Sequence, residues 1–171
     1  MGASAANRKI GAGFELVTHS VDETQRLGER LGQVLQSGDV LGLVGELGSG
    51  KTTFIQGLAK GLGLDPDQVK SPTFVLMREY PGRVPLVHLD GYRLEQGGSA
   101  VWLDLEWLFS PKRVTVIEWA DRVADCLPPE YVELRFAHKT TNQRTIAAVA
   151  HGARAAQLIA ELQKTHETLS H

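Results

Sequence analysis

The spacing of hydrophobic positions changes along the chain and divides it into alternating strands and helices. Short, nearly continuous apolar runs at 40–44, 85–90 and 113–118 are typical of strands buried on both faces of a parallel sheet. The stretches 27–35 and 54–62 place apolar residues three or four positions apart, which predicts amphipathic helices. Strands that alternate with helices in this way predict an α/β fold.

Turn and capping residues predict the other elements. A strand at 14–17 is followed by Ser20 and Glu23, which have the spacing of a helix capping box. Two apolar runs at 131–136 and 144–150 flank a polar turn and predict an antiparallel hairpin. The remaining predicted elements are a strand at 74–80 and helices at 99–109, 120–127 and 155–162. The expected sheet is mainly parallel in its centre, with antiparallel edge strands and helices on both faces.

The chain length of 171 residues suits one domain with a continuous hydrophobic core. Neither a repeat nor a linker-like composition divides the sequence. We expect residues 1–13 to form a disordered leader, 14–164 to form a single domain, and 165–171 to form a frayed tail.

Composition excludes several classes of protein. The formal net charge is -2, and no block of Lys or Arg marks a nucleic-acid-binding surface. Cys126 is the only cysteine, so an internal disulfide is impossible and a reducing compartment is favoured. No run of residues is long and apolar enough to predict a transmembrane helix. The sequence therefore predicts a cytoplasmic protein.

The strongest chemical signal is residues 45–52, which read GELGSGKT and match the phosphate-binding pattern G-x-x-x-x-G-K-[ST]. Glycines allow successive backbone N–H groups to face a bound anion. Lys51 is expected to reach the β- and γ-phosphates, and the Thr52 hydroxyl is expected to bind Mg²⁺. The motif lies between a predicted strand and a predicted helix, as a phosphate-binding loop (P-loop) requires. The fold is therefore expected to be P-loop NTPase-like.

Two of the predicted parallel strands end in an acid, Asp90 and Glu118. Ligands of open α/β sheets bind at the carboxyl ends of the strands, where the P-loop also lies. One carboxylate and one hydroxyl suffice as protein ligands of Mg²⁺, which keeps several waters. Either acid fits the metal-binding role, and the other then orients or deprotonates the attacking water.

A third feature is Ser71-Pro72-Thr73, which precedes a predicted strand. A hydroxyl on a loop stiffened by proline can sense a γ-phosphate, as the switch loops of other nucleotide-binding proteins do. A simple Ser/Thr turn explains the same three residues without any functional role.

Four segments occur together in an order and spacing that resemble one family. They are residues 45–54, 69–74 (VKSPTF), 88–94 (HLDGYRL) and 116–119 (VIEW). This combination is similar to the TsaE (YjeE) family, small P-loop ATPases of bacterial tRNA threonylcarbamoyladenosine (t6A) synthesis. The resemblance extends from about residue 14 to about residue 149.

The resemblance implies roles for individual residues. Mg²⁺ is expected at Thr52 and Glu118, with Asp90 near the γ-phosphate and Thr73 as a switch-like threonine. Lys51, Asp90, Glu118 and Thr73 are then the candidate catalytic residues, and Ser20 marks the edge of the adenine pocket. The expected ATP- or ADP-binding residues are Leu47, Gly48, Ser49, Gly50, Lys51, Thr52, Asp90 and, by a looser match, Arg144.

The resemblance also implies partners, namely TsaD-like and TsaB-like subunits of a tRNA-modification complex. Members of the family hydrolyse ATP slowly alone and act with that complex. Slow hydrolysis fits the sequence, because no arginine is obviously placed as a built-in arginine finger.

The phosphate-binding motif also occurs in proteins with other functions, of which three are alternatives here. A small-molecule kinase needs an acceptor pocket and usually an arginine-rich lid, and the sequence contains no Arg-dense segment. A nucleotide-gated assembly module would bind ATP without needing to hydrolyse it. A GTPase is disfavoured because the guanine-reading pattern N-K-x-D is absent from the sequence.

Overall fold

The computed structural model describes residues 13–46, 48–70, 77–92 and 104–169. The expected leader up to residue 12, Leu47, the segment Ser71-Pro72-Thr73 and the end of the tail lie outside the described residues. The strands are β1 (Phe14–Thr18), β2 (Val40–Val44), β3 (Met77–Tyr80), β4 (Leu86–Asp90), β5 (Val114–Glu118), β6 (Tyr131–His138) and β7 (Arg144–His151). The helices are α1 (Val21–Val34), α2 (Lys51–Gly61), α3 (Leu105–Leu108) and α4 (Ala153–Leu169), with 3₁₀ turns at Pro66–Gln68 and Ala120–Cys126.

All strands of the described residues form one sheet in the order β1-β7-β6-β2-β5-β4-β3. The central strands β6, β2, β5 and β4 run parallel to one another. Antiparallel pairing adds β3 beside β4 at one edge, and β7 and β1 beside β6 at the other. The predicted parallel centre with antiparallel edges is therefore confirmed.

Helices cover both faces of the sheet, as the sequence predicted. Side chains alternate between the faces of each strand, so Leu41 of β2 and Val116 of β5 join the larger core beneath α1, α2 and α4. Ile117 of β5 and Val87 of β4 point the other way, into a smaller core that includes residues of α3 and the 3₁₀ segment. None of the helices within the described ranges is long and apolar enough to cross a lipid bilayer.

Glycines hold α1 and α2 unusually close together. A Cβ atom built on Gly28 would lie 2.3 Å from the backbone oxygen of Phe54, and one built on Gly57 would lie 2.1 Å from that of Gln25. Backbone therefore meets backbone between the two helices. Because α2 begins at Lys51, this contact fixes the helix that carries the phosphate-binding residues.

Three predicted elements differ from the structure. The segment 120–127, predicted as a helix, is observed as 3₁₀ turns at Ala120–Cys126. Helix α4 continues past Thr165, where a frayed tail was expected, because His166 Nε2 lies 3.1 Å from the Val17 oxygen and Leu169 packs against the core. The helix predicted at 99–109 is observed only as Leu105–Leu108 within the described residues. In that turn the Asp104 carboxylate accepts a hydrogen bond from the Trp107 N–H and caps the helix.

Candidate functional site

The loop between β2 and α2 has the backbone of an anion-binding site. The loop residues Gly45, Gly48 and Gly50 have positive φ angles of 150°, 77° and 108°. Residues that carry a Cβ atom rarely adopt such angles. A Cβ on Gly45 would also approach the Phe136 oxygen to 2.6 Å. Helix α2 starts after Gly50 without a side-chain cap, so its first N–H groups and its positive dipole end are available to an anion.

Lys51 is buried at the start of α2, with 5% of its surface exposed. Its ammonium group donates a hydrogen bond to the Gly45 oxygen and lies 3.7 Å from the centre of the Trp119 ring. Burial lowers the pKa of Lys51 below its ordinary value, although the charges of Glu118, Asp121 and Asp90 act in the opposite direction. The Lys51 ammonium is therefore a largely buried cation that lies close to acidic side chains at the base of the loop.

The two strand-end acids lie beside each other and close to the loop. Parallel pairing of β4 with β5 places Asp90 opposite Glu118, and both carboxylates are buried. Glu118 Oε1 lies 3.5 Å from Thr52 Oγ1, and Glu118 Oε2 lies 2.7 Å from His88 Nε2. Asp90 Oδ1 accepts a hydrogen bond of 3.0 Å from the Tyr92 N–H. A hydroxyl and a carboxylate at this separation are the hard oxygen donors that Mg²⁺ prefers, so the residues present fit that ion.

Trp119 forms one wall of the site and has an uncommon backbone. Its φ and ψ angles of 56° and 42° lie in the left-handed region of the Ramachandran plot. Residues other than glycine rarely adopt this conformation, because it is higher in energy for them. A Cβ on Gly91 would lie 2.5 Å from the Trp119 oxygen, so only glycine allows the two strand ends to approach this closely. The Tyr92 ring lies 5.5 Å from the Trp119 ring. These contacts hold the indole over Lys51.

A cleft of about 240 Å³ opens above the loop. One side of it is the N-terminal end of α1, where Ser20 Oγ accepts a hydrogen bond from the Glu23 N–H. The other side is the β6–β7 hairpin, where Arg144 donates hydrogen bonds to the oxygens of Thr140, Thr141 and Gln143. The lining residues are Ser20, Val21, Thr24, Gly48, Gly50, Lys51, Thr52, Thr53, Glu118, Trp119, Thr141, Asn142 and Arg144.

The structure brings most of the sequence-predicted residues together. Lys51, Thr52 and Glu118 share the cleft, and Asp90 adjoins it through the strand register. Arg144 and Ser20, which were matched only loosely, line the same cleft. Ser49 is buried within the loop. The proposed nucleotide contact Leu47 and the proposed switch residue Thr73 lie outside the described residues.

Sequence reasoning missed His88, which touches Glu118, although alternation along β4 places it on the same face as Asp90 and could have indicated this. Trp119 directly follows Glu118 at a strand end, so the rim of the site was one expected place for its ring, and the core or an interface was the other. Its exact position over Lys51 depends on a left-handed backbone that the sequence does not announce.

Comparison with known proteins gives a consistent result. Residues 18–146 match the family model described as "Threonylcarbamoyl adenosine biosynthesis protein TsaE". The chain is 37% identical to the tRNA threonylcarbamoyladenosine biosynthesis protein TsaE of Bacillus subtilis, covering 90% of this chain and 95% of the relative. It is 39% identical to the TsaE protein of Treponema pallidum, covering 77% of this chain and 98% of the relative.

A solved structure resembles the fold as a whole. The crystal structure of Bacillus subtilis YdiB superimposes with a TM-score of 0.75 at 32% sequence identity, covering 90% of this chain and 95% of that one. The family model spans most of the sheet and the entire cleft described above. The chain belongs to the TsaE family, whose members take part in the biosynthesis of threonylcarbamoyladenosine in tRNA.

Proposed function

We propose that this protein binds ATP with Mg²⁺ in the cleft and hydrolyses it as a subunit of the t6A-forming machinery. The observation that carries the proposal is the convergence of Lys51, Thr52 and Glu118 at the carboxyl ends of β2 and β5. A buried ammonium, a hydroxyl and a carboxylate beside a glycine loop match the needs of a triphosphate and its metal ion. Family membership supports the place in tRNA modification.

The loop and the start of α2 hold the phosphates in this proposal. The uncapped first N–H groups of α2 face the negatively charged oxygens, and Lys51 exchanges its hydrogen bond with Gly45 for one with a phosphate. Leu47 contributes to the same cradle as part of the motif. Ser20 and Arg144 lie on opposite sides of the cleft, where they bound the nucleoside end of the ligand.

Thr52 and Glu118 would hold the magnesium ion, because their oxygen atoms already lie 3.5 Å apart. When bound, the ion neutralises charge on the phosphate oxygens. Glu118 has one oxygen directed at Thr52, and Asp90 lies opposite Glu118 in the sheet register, so we assign to Asp90 the orientation and deprotonation of the attacking water. Thr73 remains the proposed sensor of the γ-phosphate.

Hydrolysis by the isolated protein is expected to be slow. Arg144, the arginine in the cleft lining, is tied to its own hairpin, because its Nη1 donates to three backbone oxygens there. A positive charge supplied by a partner accelerates such reactions by about 10³- to 10⁵-fold in other P-loop proteins. We propose that TsaD-like and TsaB-like subunits complete the site in this way.

The test is an ATPase assay of the protein alone and with TsaD-like and TsaB-like partners, combined with titration of ADP into each variant. Asp90→Ala should still bind ADP with Mg²⁺ but lose about 10²- to 10⁴-fold in hydrolysis rate. Glu118→Ala should lose the Mg²⁺ dependence of ADP binding. Unchanged hydrolysis by both variants in the full complex would refute the assigned roles.

The same purified proteins distinguish the ATPase from two alternative functions, a small-molecule kinase and a nucleotide-gated assembly module. Phosphate released without any added acceptor argues against a small-molecule kinase. Lys51→Ala tests the assembly module: if this variant still assembles with the partners and supports repeated rounds of tRNA modification, nucleotide hydrolysis is not the function of the site. Assembly with loss of repeated rounds is the result that the ATPase proposal expects.

A further inference from the structure

His88 is a buried polar residue whose chemistry the proposed mechanism leaves unused. It lies in β4 between Val87 and Leu89, has no exposed surface, and its Nδ1 atom has no hydrogen-bond partner among the described residues. Burying an unpaired polar atom costs about 1–3 kcal/mol, a cost that an aliphatic residue would avoid. The other ring nitrogen, His88 Nε2, does have a partner and lies 2.7 Å from Glu118 Oε2.

The direction of this hydrogen bond is fixed by its acceptor. A carboxylate only accepts hydrogen bonds, so His88 Nε2 carries the hydrogen and donates it to Glu118 Oε2. The other oxygen, Oε1, is then turned toward Thr52 Oγ1 at 3.5 Å. The two contacts use different oxygens of one carboxylate, and together they fix its rotation about the end of the side chain.

We propose that His88 is a positioning residue that orients Glu118 so that Oε1 and the Thr52 hydroxyl together receive a divalent cation. This inference rests on the proposed function, because it assigns the cation to Thr52 and Glu118. Hydrogen bonds behind a metal ligand hold the ligand in its binding geometry, and their loss in other proteins weakens metal affinity about 10- to 100-fold. His88 is well suited to this task because it lies in a strand that is buried along its whole length and has no exposed surface of its own.

The test measures ADP binding by calorimetry at a series of Mg²⁺ concentrations and in EDTA. His88→Leu should raise the Mg²⁺ concentration needed for half of the cation-dependent gain in affinity by about 10- to 100-fold, while affinity in EDTA stays unchanged. His88→Gln keeps a donor at the reach of Nε2 and should restore much of the Mg²⁺ response. His88→Asn is too short to reach Glu118 and should behave like the leucine variant, which keeps the test decisive if leucine prevents folding.

Thr115→Val is the matched control, since Thr115 is equally buried in β5 but donates its hydrogen bond to Leu108, away from the cleft. It should respond to Mg²⁺ as the wild type does. Wild-type Mg²⁺ dependence in both the leucine and asparagine variants would overturn the role of His88 alone. An equal loss of affinity in EDTA would also overturn it, by revealing a purely structural effect. A wild type that ignores Mg²⁺ would instead refute the cation site on which the inference rests.

Discussion

At the scale of single residues, Lys51 places its ammonium group in a buried position, where the charged form is disfavoured. The side chain is 5% exposed, and burial is the largest influence on its lowered pKa. The hydrogen bond to Gly45 and the contact with the Trp119 ring offset only part of that cost. Burial of this ammonium therefore works against the stability of the fold, as is common for residues of functional sites and as the proposed phosphate-binding role of Lys51 requires.

The lowered pKa gives a pH dependence with a definite sign. Below the folded-state pKa, Lys51 is charged in both states and the folded protein bears the whole cost of burial. As pH rises through that pKa toward 10.5, the folded state releases the proton first and becomes more stable. We expect the free energy of unfolding of the wild type, minus that of Lys51→Met, to be constant near neutral pH and to increase in this alkaline range. Urea unfolding at stepped pH measures it, and a constant difference throughout would contradict the pKa assignment.

The indole of Trp119 should report on nucleotide binding, because its ring lies 3.7 Å from the ammonium group that the proposal transfers to a phosphate. ADP with Mg²⁺ should change the tryptophan fluorescence of the wild type but not that of Trp119→Phe. Trp107, which instead lies beside Arg113, supplies the control. Trp107→Phe should keep the full change, and a signal that disappears with Trp107 would contradict the proposed location of the nucleotide.

At the scale of elements, the contact between α1 and α2 determines where the phosphate-binding helix lies. Gly28 and Gly57 face backbone oxygens of the opposite helix, and neither helix can shift without the other. Rigid support of this kind keeps the first N–H groups of α2 aimed at the cleft. The glycines have a cost as well, since each is less favourable in a helix than alanine by about 1 kcal/mol.

The substitution Gly57→Ala has two opposing effects on stability. Alanine has the higher helix propensity, but its methyl group disrupts the packing of α2 against α1. A methyl group would lie 2.1 Å from the Gln25 oxygen, so the helices must separate, and we expect a net loss of about 1–3 kcal/mol in the free energy of unfolding. Gln163→Ala in the exposed surface of α4 is the control and should stay within about 0.5 kcal/mol of wild type. Urea unfolding of the three proteins decides the sign, and a stabilised Gly57→Ala would mean that propensity outweighs the close contact.

The elements that the sequence predicted well are those with local signals. Continuous apolar runs identified the central strands, and Ser20 at the start of α1 caps the helix as its spacing indicated. The C-terminal helix was predicted too short, because its last turn depends on His166 and Leu169 meeting β1 and the core. The segment 120–126 forms 3₁₀ turns because Val123 departs from helical angles, which hydrophobic spacing does not reveal.

At the scale of the whole molecule, a partly buried ion pair joins the beginning of the sheet's central strand to the C-terminal helix. Arg154 Nη2 lies 2.9 Å from Asp39 Oδ2, and Nε lies 3.1 Å from Oδ1. Nη2 also donates to the Val34 oxygen at the end of α1. The pKa of Arg154 is raised chiefly by its hydrogen bond with Asp39, so the guanidinium stays charged. One guanidinium thus holds three elements together at the end of β2 away from the P-loop.

Arg154→Ala should destabilise the fold while leaving ADP binding intact. Asp39 is 8% exposed, and the loss of its charged partner should cost about 2–3 kcal/mol in the free energy of unfolding. Lys164→Ala in the same helix is the control, since its pair with Glu161 is solvent-exposed and contributes less than about 1 kcal/mol. Denaturation and ADP titration are both needed, because a parallel loss of ADP affinity would contradict a purely architectural role.

The sequence identified residues of the candidate site but not its geometry. Strand-end acids and the glycine motif indicate Glu118, Asp90 and Lys51 as candidates from the sequence alone. Their contacts link residues far apart in the chain, as in the pair of His88 and Glu118, and depend on the parallel register of β4 with β5. Strand order and register follow from packing of the entire sheet, which local periodicity does not specify.

Under the proposed function, the left-handed backbone at Trp119 makes stability and activity favour different residues at this one position. Glycine or asparagine would occupy φ 56° at a lower conformational cost, yet neither can place an aromatic ring over the lysine. A saturation library at this position, selected for heat resistance, should enrich glycine and asparagine. The same library selected for cell growth that depends on the modified tRNA should retain the aromatic residue. Laboratory evolution toward a hardier protein would thus tend to erode its function at this point first.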